Sequence, residues 1–352
     1  MEKGRVANPP YDTLFSQARV LQSGSMFATT LDIRDDVEYA AQARLVLESP
    51  LHFPSRMDEL RMFWRILRLA RRERLWLLRS SWGRANVDVL AAAIIGLWPA
   101  RWRPTIVLQG CMWQPDPGLR GVIQRLIVKL ADRAIALYVV QSSAELTLFP
   151  QTWGVSPQKM RLCLYFATFS ERDLVTPLPP VGDYVFAGGN SHRVYDPLIA
   201  AARHFPERPF ILATDRLQGV ELPPNVTARP VPHREFVALM QGAAAVVVPL
   251  RQGMRRAVGQ QTYLNAMWLG KPTIVTDGLG VRDHIVDGET ALVVDGSVEG
   301  YVAALRWVLD PANAAETAQM CCAAREAVIN RFTFSHHAAC LLQVMTEAAE
   351  RK

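Results

Sequence analysis

The stretch from Gly259 to Asp277, GQQTYLNAMWLGKPTIVTD, constrains the fold more than any other part of the chain. Its apolar residues recur at helical spacing as far as Gly270, where a glycine favours the left-handed conformation that ends a helix, and Pro272 bars continuation. The β-branched run 273–276 is typical of a strand covered on both faces. The stretch therefore predicts a helix and then a buried strand of a parallel sheet.

The N-terminus of this predicted helix is a candidate binding site. Unpaired backbone N–H groups and the helix dipole favour an anionic ligand such as a diphosphate at that end. The alternative is an ordinary capped helix that binds nothing. The polar residues that open the helix are the candidates for contact: Gln260, Gln261 and Thr262.

Length and charge limit the classes of protein. A chain of 352 residues, 50% hydrophobic and 20% charged, is long enough for two domains with separate cores. No apolar run reaches the roughly 18 residues of a membrane-spanning helix. The net charge of +6 favours anionic partners. No nucleic-acid-binding motif accompanies this charge, so nucleic acid is not an expected partner.

The cysteines and the N-terminal residues favour a cytoplasmic protein. The five cysteines show no spacing typical of metal sites or disulfide frameworks. The opening residues, MEKGRVANPP, lack the apolar core of a signal peptide. We therefore expect a cytoplasmic location, with peripheral attachment to the inner face of the membrane if the basic helix described next binds lipid.

The segment 56–74, RMDELRMFWRILRLARRER, predicts a strongly basic helix. Apolar residues such as Leu60 and Trp64 recur in it at three- and four-residue steps, with arginines between them. One interpretation places this helix on an anionic membrane surface. The other is a surface helix that packs its leucine and tryptophan on the core and leaves the arginines in water.

Strand and helix patterns alternate along most of the chain, which predicts parallel sheets. A non-periodic segment with three prolines, 171–183, separates two halves as a domain linker does. Just beyond it, Gly188 and Gly189 follow a predicted strand and give a ligand close access to the backbone. Arg193 adds a fixed positive charge before the next predicted helix. These features predict a diphosphate site.

From 184 to about 350 the sequence resembles the donor domain of a glycosyltransferase of the two-domain GT-B type, in the retaining family 4 group. The resemblance is carried by FAGG with Arg193, by PNVTARPVPHREFVALMQGAAAVVVPL, by GQQTYLNAMWLGKPTIVTDGLGVRDHIVDGETALVV and by the closing FTFSHHAACLLQVM. Residues 138–157, YVVQSSAELTLFPQTWGVSP, are similar to the last part of a GT-B acceptor domain.

The resemblance implies an α/β GT-B fold, with two Rossmann-like domains whose parallel sheets face a cleft. It implies an acceptor-side domain at 1–172, a nucleotide-sugar-binding domain at 173–334, and a C-terminal helix, 335–352, that packs back toward the first domain. The implied donor is a UDP- or GDP-sugar, and the implied acceptor is a glycan or a lipid-linked acceptor. No cofactor or metal is expected.

The resemblance also assigns roles to residues. Arg193 stands where the family usually has the lysine that opens the sugar-diphosphate site, and it keeps the positive charge. Val231 and His233 match the segment that holds the base. Retaining GT-B enzymes are thought to let the departing diphosphate accept the acceptor's proton. The main requirement is then that positively charged side chains lie close to that diphosphate. Arg255 or Arg256 would add to the charge of Arg193 there.

Three positions depart from the family pattern. Ala257 and Asn265 stand where the family commonly has two glutamates separated by seven residues, and Gln109 stands where a histidine often lies near the acceptor. The second glutamate normally accepts hydrogen bonds from two ribose hydroxyls. Asn265 is expected to accept one and donate one, and its missing charge costs on the order of 1 kcal/mol.

The resemblance and its three departures lead to two possible functions of different classes. The first is a retaining glycosyltransferase of glycan, glycolipid or secondary-metabolite synthesis, with Arg193, Gln109 and Arg256 as catalytic candidates. The second is a catalytically degenerate GT-B homologue that binds a nucleotide or a partner protein, which the three departures favour. A third function, that of a membrane-binding scaffold, is supported by the basic helix alone.

Overall fold

The computed structural model describes residues 27–30, 37–45, 55–80, 86–110, 114–176 and 181–351. Within these residues the chain forms two six-stranded sheets flanked by helices, which confirms the predicted α/β fold class. No described helix is long and apolar enough to cross a membrane.

The first sheet has the strand order β2-β1-β3-β4-β5-β6, and β1 pairs in parallel with both β2 and β3. Its strands are β1 (Phe27–Thr29), β2 (Ala43–Leu45), β3 (Leu75–Arg79), β4 (Thr105–Gln109), β5 (Ile135–Val140) and β6 (Met160–Leu162). The helices of this part of the chain are α1 (Val37–Gln42), α2 (Arg56–Leu69), α3 (Val87–Gly96), α4 (Leu119–Ala131) and α5 (Glu145–Trp153).

The second sheet has the order β12-β11-β10-β7-β8-β9, and every neighbouring pair is parallel. Its strands are β7 (Val185–Gly188), β8 (Phe210–Ala213), β9 (Val226–Arg229), β10 (Ala245–Val248), β11 (Thr273–Thr276) and β12 (Leu292–Val294). The helices are α6 (Asp196–Ala202), α7 (His233–Gly242), α8 (Gln260–Trp268), α9 (Val298–Leu309), α10 (Ala314–Arg331) and α11 (Phe334–Glu350).

The helix and strand predicted between Gly259 and Asp277 are α8 and β11. Gly270 has φ +65°, as a left-handed helix end requires, and its N–H donates to Met267 O at 2.9 Å. All side chains of β10 and β11 are buried. Both faces of these central strands are therefore covered, which explains their β-branched composition.

The basic helix α2 is shorter than predicted, because residues 70–74 turn into β3 instead of continuing the helix. Met62 and Ile66 are its buried residues. Leu60 is 48% exposed and Trp64 is 60% exposed. The interpretation that this leucine and tryptophan pack on the core is therefore wrong, since a different pair of residues faces the core.

The chain divides into two compact units. The first consists of residues 1–109, 126–138 and 338–352, so most of the C-terminal helix belongs with the N-terminal residues, as the fold class implied. The second consists of residues 110–125 and 139–337. The domain limits at 172 and 334 stay a prediction.

The cysteines correct one expectation. Cys321 and Cys322 carry free thiols, but Cys163 and Cys340 are each disulfide-bonded. Disulfide formation depends on the distance between two Cα atoms and not on spacing along the sequence, so the sequence pattern did not show it. The cytoplasmic location stays a prediction.

Candidate functional site

The candidate site begins at the carboxyl ends of β7 and β10, where the strand order of the second sheet reverses. In open parallel sheets this switch point leaves a crevice for ligands. Backbone hydrogen bonds hold the two following loops together: Val194 N donates to Pro249 O at 3.0 Å, and Arg251 N donates to His192 O at 2.9 Å. The predicted glycine turn thus lies against the loop that leads into α8.

Arg193 occupies a space that two glycines leave open. Arg193 is only 6% exposed. Gly189 has φ +113° and Gly259 has φ +76°, and a Cβ on either glycine would lie 3.2 or 3.3 Å from a guanidinium nitrogen. A side chain at either position would be strained and would crowd the arginine. The glycine turn and the start of α8 are therefore both shaped around Arg193.

The hydrogen-bond partners of Arg193 are all neutral. Nε donates to Gly188 O at 3.4 Å, Nη1 to Ser191 O at 2.9 Å and Nη2 to Thr262 Oγ1 at 2.9 Å. In the described part of the chain no ion pair joins Arg193 to a carboxylate. Burial lowers the pKa of Arg193. A buried cation without a counter-ion is costly, so this position favours an anion.

Arg256 extends the positive region and contacts the neighbouring His192. His192 has φ +54°, a rare conformation for a residue with a side chain, and its Nε2 contacts Nη2 of Arg256. Burial, and then the charges of Arg256, Arg251, Arg216 and Arg193, lower the pKa of His192 to about 4. The imidazole is therefore neutral near pH 7, and four arginines act on one position.

The side chains that open α8 are not all directed at a ligand. Thr262 accepts from Arg193, as described. Gln260 is buried and donates through Nε2 to Gln141 O at 2.8 Å. Gln261 donates through Nε2 to Thr168 Oγ1 at 2.9 Å. The structure thus gives the two glutamine amides partners within the chain, and the prediction of ligand contact at this helix start rests on Thr262 and the backbone.

Asn265 lies in the interior and holds a neighbouring segment. The residue is 2% exposed. Its Oδ1 accepts from Thr168 N at 2.7 Å and Phe169 N at 3.0 Å, and its Nδ2 donates to Thr168 Oγ1 at 3.0 Å. The expectation that this amide faces a ribose is corrected here, because both ends of the amide bond to the chain itself.

The candidate base-binding residues lie at the start of α7. His233 is exposed, its Nε2 lies 3.4 Å from Asp173 Oδ1, and its ring contacts Phe169 edge to face at 5.8 Å. Val231 is half-buried. Both residues are therefore accessible, and Phe169 connects His233 to the segment that Asn265 holds.

Gln109 ends β4 and belongs to the first unit, unlike the other candidates. It is buried. Its candidate role near an acceptor stays a prediction.

Glu145 is a residue of the candidate site that the sequence pattern did not indicate. Its Oε1 accepts from Ala257 N at 2.9 Å and its Oε2 from Gln141 N at 3.1 Å. Burial raises the pKa of this carboxyl, while the two backbone N–H groups and Arg256 oppose the rise. A carboxylate from a distant segment thus stands beside Ala257, where the resembled family has its own glutamate. No local signal marks this contact.

Ser143 precedes α5 but does not cap it. The cap of α5 is Ala144, without a side-chain hydrogen bond. Ser143 N instead donates to Asp283 Oδ2 at 2.9 Å. The segment 141–145 is therefore bonded to the loops around α8 as well as to the first turn of its own helix.

Comparison with known proteins supports the resemblance. Residues 206–311 match the family model described as Glycosyl transferases group 1. Among curated proteins, no sequence matches the chain.

The fold is similar to several solved structures. Sucrose-phosphate synthase from Thermosynechococcus elongatus superposes with a TM-score of 0.65 at 14% identity, over 88% of this chain and 84% of that one. A glycosyltransferase from Rickettsia africae gives 0.63 at 12% identity, over 87% and 85%. Anabaena HepE in complex with UDP gives 0.60 at 16% identity, over 83% and 81%. The chain therefore has the GT-B glycosyltransferase fold, and its residues 206–311 carry the sequence pattern of the glycosyl transferases group 1 family.

Proposed function

We propose that the protein is a glycosyltransferase that takes its sugar from a nucleoside-diphosphate sugar. The observation that carries this proposal is the buried, positively charged Arg193, whose hydrogen-bond partners are all neutral. A diphosphate at the end of β7, against Gly188, Gly189 and Arg193, would supply the missing negative charge. That the similar HepE structures hold UDP or UDP-glucose supports this class of donor, with a UDP- or GDP-sugar as the proposed molecule.

We infer a retaining reaction at this site. The acceptor oxygen bonds to the anomeric carbon as the bond from that carbon to the diphosphate oxygen breaks. The acceptor's proton passes to the leaving diphosphate oxygen, and a nucleoside diphosphate departs. Arg193 and Arg256 stabilise the charge that develops on the diphosphate, and this stabilisation is the main contribution the protein makes.

The remaining donor and acceptor contacts are proposed from the family resemblance. Val231 and His233 remain the proposed base-binding residues, and Gln109 remains the proposed acceptor-side residue. Asn265 is left out of the proposed donor contacts, because its amide is already bonded at both ends. The acceptor is proposed to be a glycan or a lipid-linked molecule.

The second candidate function is nucleotide binding without turnover. The observation that favours it is the loss of both family carboxylates on this loop and helix, at Ala257 and Asn265. Under this reading the diphosphate still binds at Arg193. Product formation from a bound donor separates the two functions, whereas donor binding alone does not.

Calorimetric titration with UDP and GDP, and with their glucose and mannose conjugates, tests the proposal. Arg193→Ala should weaken diphosphate binding by roughly 1.5–3 kcal/mol, the typical contribution of a hydrogen bond to a charged group. Arg203→Ala is the matched control, because Arg203 is an exposed arginine of the same unit. Equal affinity of the parent and the Arg193 variant would remove Arg193 from the site and the proposal with it.

A further inference from the structure

Helix α2 carries two apolar faces instead of one. Met62 and Ile66, four residues apart, are buried. Met57, Leu60 and Trp64 are 55%, 48% and 60% exposed, and they follow one another at steps of three and four residues. Residues at this spacing lie on one side of a helix. The helix therefore presents a second apolar stripe to solvent.

A stripe of arginines runs beside the exposed apolar one. Arg61, Arg65, Arg68 and Arg72 recur at steps of four, three and four residues along the chain. Arg61 pairs with Asp58 at 3.1 Å. The other three arginines form no ion pair with any residue that the structure describes. Their charges are thus available to an external partner.

The two stripes border a groove of about 770 Å³, and residues next to them in the chain line a second groove of about 580 Å³. Leu69 and Arg72 line the first groove, while Ala70 and Arg71 line the second. The ion pair of Arg44 and Glu73 joins the lining of the first groove to that of the second.

The second groove repeats the combination of arginine and tryptophan. Arg71 lies 5.6 Å from the ring centre of Trp98, and Arg101 lies 5.0 Å from that of Trp102. Trp102 is 61% exposed. We refer to α2 with residues 70–74 and 97–104 as the arginine–tryptophan face. Tryptophan favours the boundary between the polar and apolar layers of a bilayer, and arginine binds phosphate.

Acidic residues on this face are few. Asp58 and Glu59 lie in the first turn of α2, and Glu73 lines the second groove but pairs with Arg44. The arginines outnumber these carboxylates, so the face is positively charged.

We propose that the arginine–tryptophan face docks on the surface of an anionic lipid bilayer. The arginines would contact lipid phosphates, and the stripe of Met57, Leu60 and Trp64 would enter the headgroup region. A nucleic acid matches the arginines but offers no apolar layer for this stripe, whereas a bilayer offers both. This proposal does not depend on the proposed transfer reaction.

Flotation of the full chain with vesicles tests the proposal. Vesicles that contain phosphatidylglycerol should carry the protein at low salt, and vesicles of phosphatidylcholine alone should not. The triple variant Arg65→Gln, Arg68→Gln, Arg72→Gln should bind the anionic vesicles about a hundredfold more weakly, because each arginine near such a surface contributes roughly a factor of five.

Two further variants make the test specific. The control Arg203→Gln, Arg306→Gln, Arg325→Gln removes the same charge from exposed positions of the second unit and should bind as the parent does. Leu60→Ser with Trp64→Ser keeps every charge and should weaken binding about tenfold by removing the apolar contact. Thermal unfolding verifies that each variant is folded.

The outcomes that overturn the proposal are equal binding to neutral and anionic vesicles, or equal losses in the two triple variants. Binding of duplex DNA that is tighter than vesicle binding, and lost in the Arg65, Arg68 and Arg72 variant, also overturns it and makes nucleic acid the partner of this face.

Discussion

Arg193 in the second unit and Arg65 in the first carry the same charge in opposite surroundings. Arg193 is buried, donates three hydrogen bonds and lies between two glycines. Arg65 lies on an exposed stripe of α2 with no described ion-pair partner. In a low-dielectric interior one charge in a fixed geometry interacts strongly with a ligand. At a surface, where solvent screens each charge, only several charges together do so.

A similar contrast separates one buried polar residue of the second unit from one exposed apolar residue of the first. Asn265 is a buried amide with its hydrogen bonds made inside the chain, and Trp64 is a large apolar side chain left in solvent. The usual placement of residue types is reversed at both positions. A buried polar group requires all its partners, while an exposed apolar group requires none for folding.

The largest expected effect is on Asn265. Asn265→Ala should lower the free energy of unfolding by about 2–5 kcal/mol, because the N–H groups of Thr168 and Phe169 lose their acceptor. Asn265→Asp keeps an acceptor oxygen and should stay within about 1 kcal/mol of the parent. Trp64→Ala should change stability by about 0.5 kcal/mol or less, as exposed substitutions do.

Urea unfolding of the three variants measures these differences. If Asn265→Ala leaves stability unchanged but weakens nucleotide binding, the amide binds a ligand. The prediction that Asn265 stabilises the fold would then be wrong.

A second prediction concerns the buried histidines of the second unit. Burial lowers the pKa of His284 and of His337 to about 4. The unfolded chain binds protons at about pH 6.5 that the folded chain does not. Stability should therefore fall as the pH drops from about 6.5 to about 4, by on the order of 3 kcal/mol for each histidine.

The pH dependence is checked by urea unfolding between those pH values. His284→Gln should reduce the slope of the free energy of unfolding against pH by the contribution of one proton. This holds whatever the effect of the substitution on stability at neutral pH. A parent-like slope in this variant would show that His284 is not held neutral by burial.

The smallest expected effect sharpens the comparison between the two arginines. Arg193→Lys keeps the charge but loses the forked geometry, and should weaken diphosphate binding about tenfold, or roughly 1.4 kcal/mol. Arg65→Lys should leave vesicle binding within about twofold, because a bilayer surface responds to charge more than to geometry. Equal effects of the two substitutions, each measured against its own ligand, would refute this distinction between geometry and charge.

The sequence alone determined the fold class and the local elements on which the candidate site is proposed. The β-branched runs of β10 and β11, the stop at Gly270 and the glycine turn before Arg193 act within a few residues, so spacing and local conformation reveal them. The resemblance to GT-B glycosyltransferases likewise rests on continuous segments, and the family model and the similar solved structures confirm it.

Only the tertiary structure decided what the individual side chains contact. Asn265 bonds to residues 96 and 97 positions away, and Glu145 reaches Ala257 across 112 positions. In α2, Met62 and Ile66 are buried, whereas Leu60 and Trp64 are exposed to solvent. Helical spacing shows that apolar residues share a face, but it does not show which face the rest of the chain covers. That choice depends on packing between distant segments, which no local pattern contains.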